Sequence, residues 1–186
     1  MSKKVFVFFA DGFETVEGLM VVDLLRRAEL DVVTVSIKDT VDVETSAGVA
    51  VKADRVFAGT DFADADLLVL PGGQPGTTYL SKYQPLLDLL KKQYEAGRMV
   101  AAICAAPTVL GGLGFLKDRR ATCYPALLNT LDCKERCEEP VVVDGNVTTS
   151  RGLGTAADFG LCLIAQLLGS DKAREIAESV VYHAAL

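Results

Sequence analysis

Met99-Val100-Ala101-Ala102-Ile103-Cys104-Ala105-Ala106-Pro107 is the stretch that decides the fold and points to the chemistry. Five apolar residues without a polar interruption are the pattern of a strand buried on both faces, as in a parallel sheet. Pro107 suits the first turn of a helix, where its missing N–H is not needed. Cys104 therefore stands on a tight strand-to-helix turn. A nucleophile on such a turn needs small residues two positions before and after it, and Gly-x-Ser-x-Gly elbows are the strict form of that steric rule. Ala102 and Ala106 meet it less strictly. A thiol at a helix N-terminus feels the positive end of the dipole, so a lowered pKa is expected for Cys104. The competing reading is a buried packing thiol, the usual place of a free cysteine.

Working outward, the same alternation of solid apolar runs and amphipathic segments fills the chain. Strands are expected over 5–10, 31–37, 66–70 and 99–103, with a further one near 120–123. Helices are expected over 15–29 and 84–96, from Pro107, over 125–131, and over 155–168 and 171–182. Segment 42–53 around Ala47-Gly48 reads as a hairpin, and so does 141–150 around Gly145-Asn146. The implied fold is α/β, a doubly wound, mostly parallel sheet flanked by helices. No repeat or Pro/Gly/Ser-rich linker divides the sequence, so one domain over 1–186 is expected.

Composition removes several classes of function. Lys and Arg number 19 against 25 Asp and Glu, a net charge of −6. That balance excludes a phosphate-tracking nucleic-acid binder, which carries a basic stripe. No apolar run reaches the ~18 residues of a membrane span. The run after Lys4 reads as a first strand rather than a signal segment. Five cysteines, an odd number, fit reduced thiols and a cytoplasmic setting.

Ligands in open α/β sheets bind at the carboxyl ends of strands. Besides Cys104, two loops leave such ends. Asp11-Gly12-Phe13-Glu14-Thr15-Val16-Glu17 brings two carboxylates, and either Glu14 or Glu17 serves the helix N-terminus or faces the thiol. A carboxyl buried beside Cys104 would stay protonated and donate to the thiolate. Pro71-Gly72-Gly73-Gln74-Pro75-Gly76 has neither dinucleotide nor P-loop spacing, so its use is a tight turn or backbone N–H groups for an oxyanion. Cys133 and Cys137 have no second pair at zinc spacing, Cys123 and Cys162 read as core, and His183 reads as a surface residue. No metal or cofactor is implied.

The blocks at Glu17 with Val22–Ala28, Leu70–Gly73, Ala101–Thr108 and Thr149–Thr155 resemble the ThiJ/PfpI superfamily. Within it the chain is similar to the branch of the parkinsonism-associated protein deglycase and its small bacterial relatives. The resemblance implies a flavodoxin-like homodimer. Cys104 is then the reactive cysteine, Glu17 the protonated acid beside it, and the Gly73 and Ala105 amides the oxyanion donors. Arg27 and Arg151 correspond to arginines at the dimer interface and site rim. The implied activity is cofactor-free chemistry on small reactive carbonyls, glyoxalase or deglycase type, from 2-oxoaldehyde to 2-hydroxy acid. The alternative is a stress-response redox sensor in which an oxidant converts Cys104 to sulfinic acid. Peptidase-like members place a His after the cysteine, where this chain has Ala105. Deglycase-branch relatives often carry a His before Pro125, where this chain has Tyr124, and a phenol is a poor base near neutral pH.

Overall fold

The computed structural model describes residues 2–183. In chain order it contains β1 (Lys4–Phe9), α1 (Thr15–Arg27), β2 (Asp31–Ser36), β3 (Asp42–Glu44), β4 (Ala50–Lys52), β5 (Arg55–Val56) and β6 (Leu67–Leu70). There follow α2 (Gly76–Lys82), α3 (Gln84–Glu95), β7 (Met99–Ile103), α4 (Pro107–Gly112), β8 (Arg120–Ala121), α5 (Pro125–Leu128) and β9 (Glu135–Arg136). The chain continues through β10 (Val141–Asp144), β11 (Val147–Ser150), a 3₁₀ turn at Leu153–Thr155, α6 (Ala156–Leu168) and α7 (Ser170–Ser179).

Seven strands form one sheet in the order β10-β11-β7-β6-β1-β2-β5. Every pairing in it is parallel except the β10–β11 edge hairpin. Alternation along each strand divides the side chains between the two faces. Val5, Val7 and Phe9 of β1 pack with Val21 and Leu25 of α1 and with Phe159 and Leu163 of α6. Phe6 and Phe8 face the other way, toward Leu80 of α2, Leu86 and Leu90 of α3 and Leu110 of α4. Helices on both faces make the sheet doubly wound, as the apolar runs imply. Each such fully buried side chain contributes roughly 1.5–3 kcal/mol relative to exposure.

The chain reverses direction across the sheet between β1 and β6. The loop after β1 leads to α1 on one face, and the loop after β6 leads to α2 on the other. Crevices for ligands open at such a switch point. The expected hairpins are present, with Asp42 opposite Lys52 in one and Val142 opposite Thr149 in the other.

Some expectations are corrected. The strand expected near 120–123 is only Arg120–Ala121, and it pairs with β9 outside the main sheet. The helix expected over 125–131 stops at Leu128, and the one expected from Thr155 starts with the 3₁₀ turn. Helix α2 and the two-residue strands β5 and β9 were not expected. The one-domain reading over 1–186 includes residues 1 and 184–186, which lie outside the described residues. Among the described residues no helix is long and apolar enough to cross a membrane.

Candidate active site

Strand β7 delivers Cys104 to the carboxyl edge of the sheet with φ +64°, the left-handed region. A non-glycine residue there costs about 1–3 kcal/mol, so the surroundings must hold it. They do so from both flanks. The Cys104 N–H donates to the Ser150 carbonyl at the end of β11, 3.0 Å, and its carbonyl accepts from the Tyr124 N–H, 2.7 Å. Ala106 N–H closes the turn on the Ile103 carbonyl, 3.0 Å. Ala102, Ala105 and Ala106 are all buried, so the small residues read from the sequence occupy the crowded positions.

The two acids of the β1–α1 loop have separate jobs. Glu14 caps α1, its Oε2 accepting from the Glu17 N–H at 2.7 Å. Glu17 is thereby freed from capping and turns inward, only 1% exposed. Its Oε2 accepts from the Gly72 N–H, 3.0 Å, and the Leu153 amide also acts on the carboxyl. A Cβ on Gly72 would lie 2.6 Å from both the Cys104 Cβ and Glu17 Oε2, so only glycine lets the β6 loop approach both groups. Gly73 has φ +91°, and a Cβ there would come within 2.3 Å of the Glu14 nitrogen. The Gly73 and Ala105 amides both act to lower the Cys104 thiol pKa.

Burial is the largest influence on both ionisable groups. It raises the Glu17 carboxyl to about 7, with help from the charge of Glu14 and against hydrogen bonds from Cys104, Gly72 and Leu153. It also pushes the Cys104 thiol up to about 12. The Glu17 charge and the hydrogen bond to Glu17 push the same way, and the Gly73 and Ala105 amides oppose them. The lowered thiol pKa expected from the sequence is therefore corrected. Helix α4 is only six residues long and starts three positions after Cys104, so its dipole is small beside the desolvation. The two groups are coupled unevenly: the hydrogen bond from Cys104 favours the Glu17 carboxylate, while the Glu17 charge raises the thiol.

The sequence profile of the DJ-1/PfpI family matches residues 3–166. The chain belongs to the DJ-1/PfpI family. It is 39% identical over 182 residues to Protein DJ-1 homolog B of Arabidopsis thaliana, covering 97% of this chain. The alignment spans only 42% of that longer protein. Glutathione-independent glyoxalase DJR-1.2 of Caenorhabditis elegans is 30% identical over 165 residues, covering 88% of this chain and 87% of that protein. Oxidized Toxoplasma gondii DJ-1 superposes with a TM-score of 0.95 at 35% identity, covering 98% of this chain and 100% of that one. The ThiJ/PfpI resemblance and the flavodoxin-like fold it implies are borne out.

Within this DJ-1/PfpI frame the remaining residues separate by position. Tyr124 meets the site through its backbone bond to Cys104, and its ring stands beside Gly152. Arg151 precedes Gly152 and donates from Nη1 to the Glu138 carbonyl, 2.7 Å. Arg27 lies ten residues beyond Glu17 on α1, roughly 15 Å along the axis, and pairs with Asp23 at 2.7 Å. A single chain does not bring Arg27 to the thiol. Exposed His183 lines a groove with Met20, Arg27 and Leu161, and supplies no base to Cys104. Cys123 is buried on the opposite face of the sheet, its thiol raised to about 11 by burial. Cys162 is half-buried in α6, with Gln166 Nε2 3.5 Å from its sulfur. Gly152 and Leu153 line the site without having been singled out for a role. Their contribution is backbone and open space, which leaves no mark in side-chain chemistry.

Proposed function

We propose that the chain is a cofactor-free, cysteine-dependent enzyme that converts 2-oxoaldehydes to 2-hydroxy acids, a glyoxalase or deglycase type of activity protective against reactive carbonyls. One observation carries the reading: a carboxyl raised by burial to about 7 lies buried against a thiol on a strained turn, and two backbone amides act on that thiol. A base whose pKa lies near the working pH is best matched to proton transfer. Ionised Glu17 takes the Cys104 proton as the sulfur attacks the aldehyde carbon, forming the S–C bond of a hemithioacetal. The oxygen that gains charge lies on the carbon bonded to sulfur, within reach of the Gly73 and Ala105 donors. Glu17 returns that proton to this oxygen, then takes the hydrogen of the first carbon as a proton and delivers it to the second carbon while the hydroxyl proton passes to the ketone oxygen, leaving a thioester. Water adds, the C–S bond breaks, and the products are the 2-hydroxy acid and the thiol. A 2-oxoaldehyde plus water gives a 2-hydroxy acid: the aldehyde carbon is oxidised as the ketone carbon is reduced, so no external oxidant or reductant enters.

The relative named as a glutathione-independent glyoxalase supports this reading. Ala105 in place of a histidine speaks against a peptidase. Members of the family are commonly homodimers, and we propose the same assembly here, with Arg27 and Arg151 at the interface or rim. A cytoplasmic setting belongs to the proposal, in keeping with five free thiols. A second reading, oxidation of Cys104 to a sulfinic acid as a redox signal, is favoured by the oxidized state of the Toxoplasma neighbour and by hydrogen-bond donors around the sulfur.

The test is product identification. Catalytic amounts of protein are mixed with methylglyoxal, with no added thiol, and followed by NMR. Lactate in excess of protein supports the enzyme. Loss of methylglyoxal without lactate refutes it, and peroxide-specific modification of Cys104 would then favour the sensor.

A further inference from the structure

The mouth of the site has an unusual lining for a reaction centre. A Cβ placed on Gly152 would lie 3.7 Å from Glu17 Oε1, 3.9 Å from the Cys104 sulfur and 3.7 Å from Cδ2 of the Tyr124 ring. The space that glycine leaves open therefore has the reacting pair on one side and an aromatic edge on the other. Tyr124 as a residue is 48% exposed, and Leu153, the next residue after Gly152, is 53% exposed. Both are large, largely apolar side chains left in water beside the reacting pair.

The charges point the same way. The groups acting on the thiol are the Glu17 carboxyl and two neutral amides, with no cation among them. Arg151, the nearest arginine in sequence to this mouth, is engaged with the Glu138 carbonyl. A substrate carrying a phosphate or carboxylate would be repelled by ionised Glu17 close to the sulfur. An uncharged substituent meets an apolar surface instead.

We propose that Tyr124 is the specificity-determining residue of the site. Its ring receives an uncharged alkyl or aryl substituent on the ketone carbon, so that longer-chain 2-oxoaldehydes are better substrates than methylglyoxal. The inference rests on the reading of Cys104 as a nucleophile toward 2-oxoaldehydes. Tyr124 holds the elbow through its backbone N–H and meets the substrate through its ring, so replacing the side chain leaves the elbow contact in place.

The experiment compares kcat/KM for methylglyoxal, 2-oxopentanal and a phosphorylated 2-oxoaldehyde in the wild type, Tyr124→Phe and Tyr124→Ala. One methylene in an enclosed pocket changes kcat/KM by about 10–200-fold, and a one-sided wall lies at the low end. The wild type is expected to prefer 2-oxopentanal to methylglyoxal by about ten-fold and to use the phosphorylated compound poorly. Tyr124→Phe keeps that preference, and Tyr124→Ala reduces it to near unity. A wild type with no preference for the longer chain overturns the proposal, as does a Tyr124→Ala variant that retains the preference. Equal loss of turnover on all substrates in Tyr124→Phe also overturns it, because the hydroxyl would then be taking part in the chemistry. Absence of 2-hydroxy acid from every aldehyde refutes the underlying enzyme reading instead, so the two failures are distinguishable.

Discussion

Replacing Glu17 by Gln should remove a pH dependence from the stability of the fold. Glu17 is 1% exposed and its carboxyl is raised from the ordinary 4.5 to about 7. Between those values the unfolded chain has lost this proton while the folded chain retains it. The folded state thus binds more protons, and stability falls as pH rises through that window. A shift of this size corresponds to about 3 kcal/mol over the whole window, and to about 2–3 kcal/mol from about pH 5 to about pH 8. Deep burial means solvent screening takes little from that figure. Gln cannot titrate, yet its carbonyl can still accept from the Gly72 N–H, so the substitution adds a constant offset with no slope. The assay is urea unfolding of wild type and Glu17→Gln at several pH values and one fixed protein concentration. Titrating groups away from Glu17 cancel in the difference; Cys104, which feels the Glu17 charge, is the exception. The wild type should lose about 2–3 kcal/mol relative to the variant across the range. Parallel stability curves would mean that Glu17 titrates normally, and the proposed role as a near-neutral base would fall with it.

Three further outcomes follow from the same geometry. The kcat/KM for methylglyoxal should rise with pH through about 7 and level off above it, because the Glu17 carboxyl must be ionised to take the thiol proton; a flat or falling profile measured by lactate production would contradict that assignment. Gly72→Ala places a methyl carbon 2.6 Å from the Cys104 Cβ and Glu17 Oε2, and overpacking of this kind costs about 1–3 kcal/mol; an unchanged denaturation midpoint together with unchanged activity would show that the loop is looser than described. Glu14→Ala removes the α1 cap and should cost about 1 kcal/mol in denaturant unfolding, whereas a change confined to activity would place Glu14 in the chemistry instead.

Much of this is legible in the sequence. The runs Val5–Phe9, Leu67–Leu70 and Met99–Ile103 read as buried strands because a doubly covered parallel sheet leaves no polar alternation to confuse with helix. Cys104 was legible because strand, small residues and Pro107 coincide. The residue pattern alone does not separate Glu14 from Glu17, since both sit at the start of one helix where a carboxylate is favoured. What separates them is the approach of Gly72, a residue 55 positions away from Glu17. The direction of the thiol shift was misread for a related reason: the helix dipole is local and visible in sequence, while desolvation is set by every element packed around the sulfur. Helix α2 starts at Gly76 without a side-chain cap, so its beginning carries no start signal. The pairing of β8 with β9 joins two-residue pieces 15 positions apart, too short for any periodicity to show.

The central claim is that Cys104 does the bond-making and Glu17 the proton transfer. The most direct measurement is the initial rate of lactate formation from methylglyoxal by the wild type, Cys104→Ser and Glu17→Gln under one set of conditions. The account predicts a loss of at least about a thousand-fold for Cys104→Ser, as for removal of an essential nucleophile, and of about 10²–10⁴-fold for Glu17→Gln. A Cys104→Ser protein that makes lactate at the wild-type rate would contradict it.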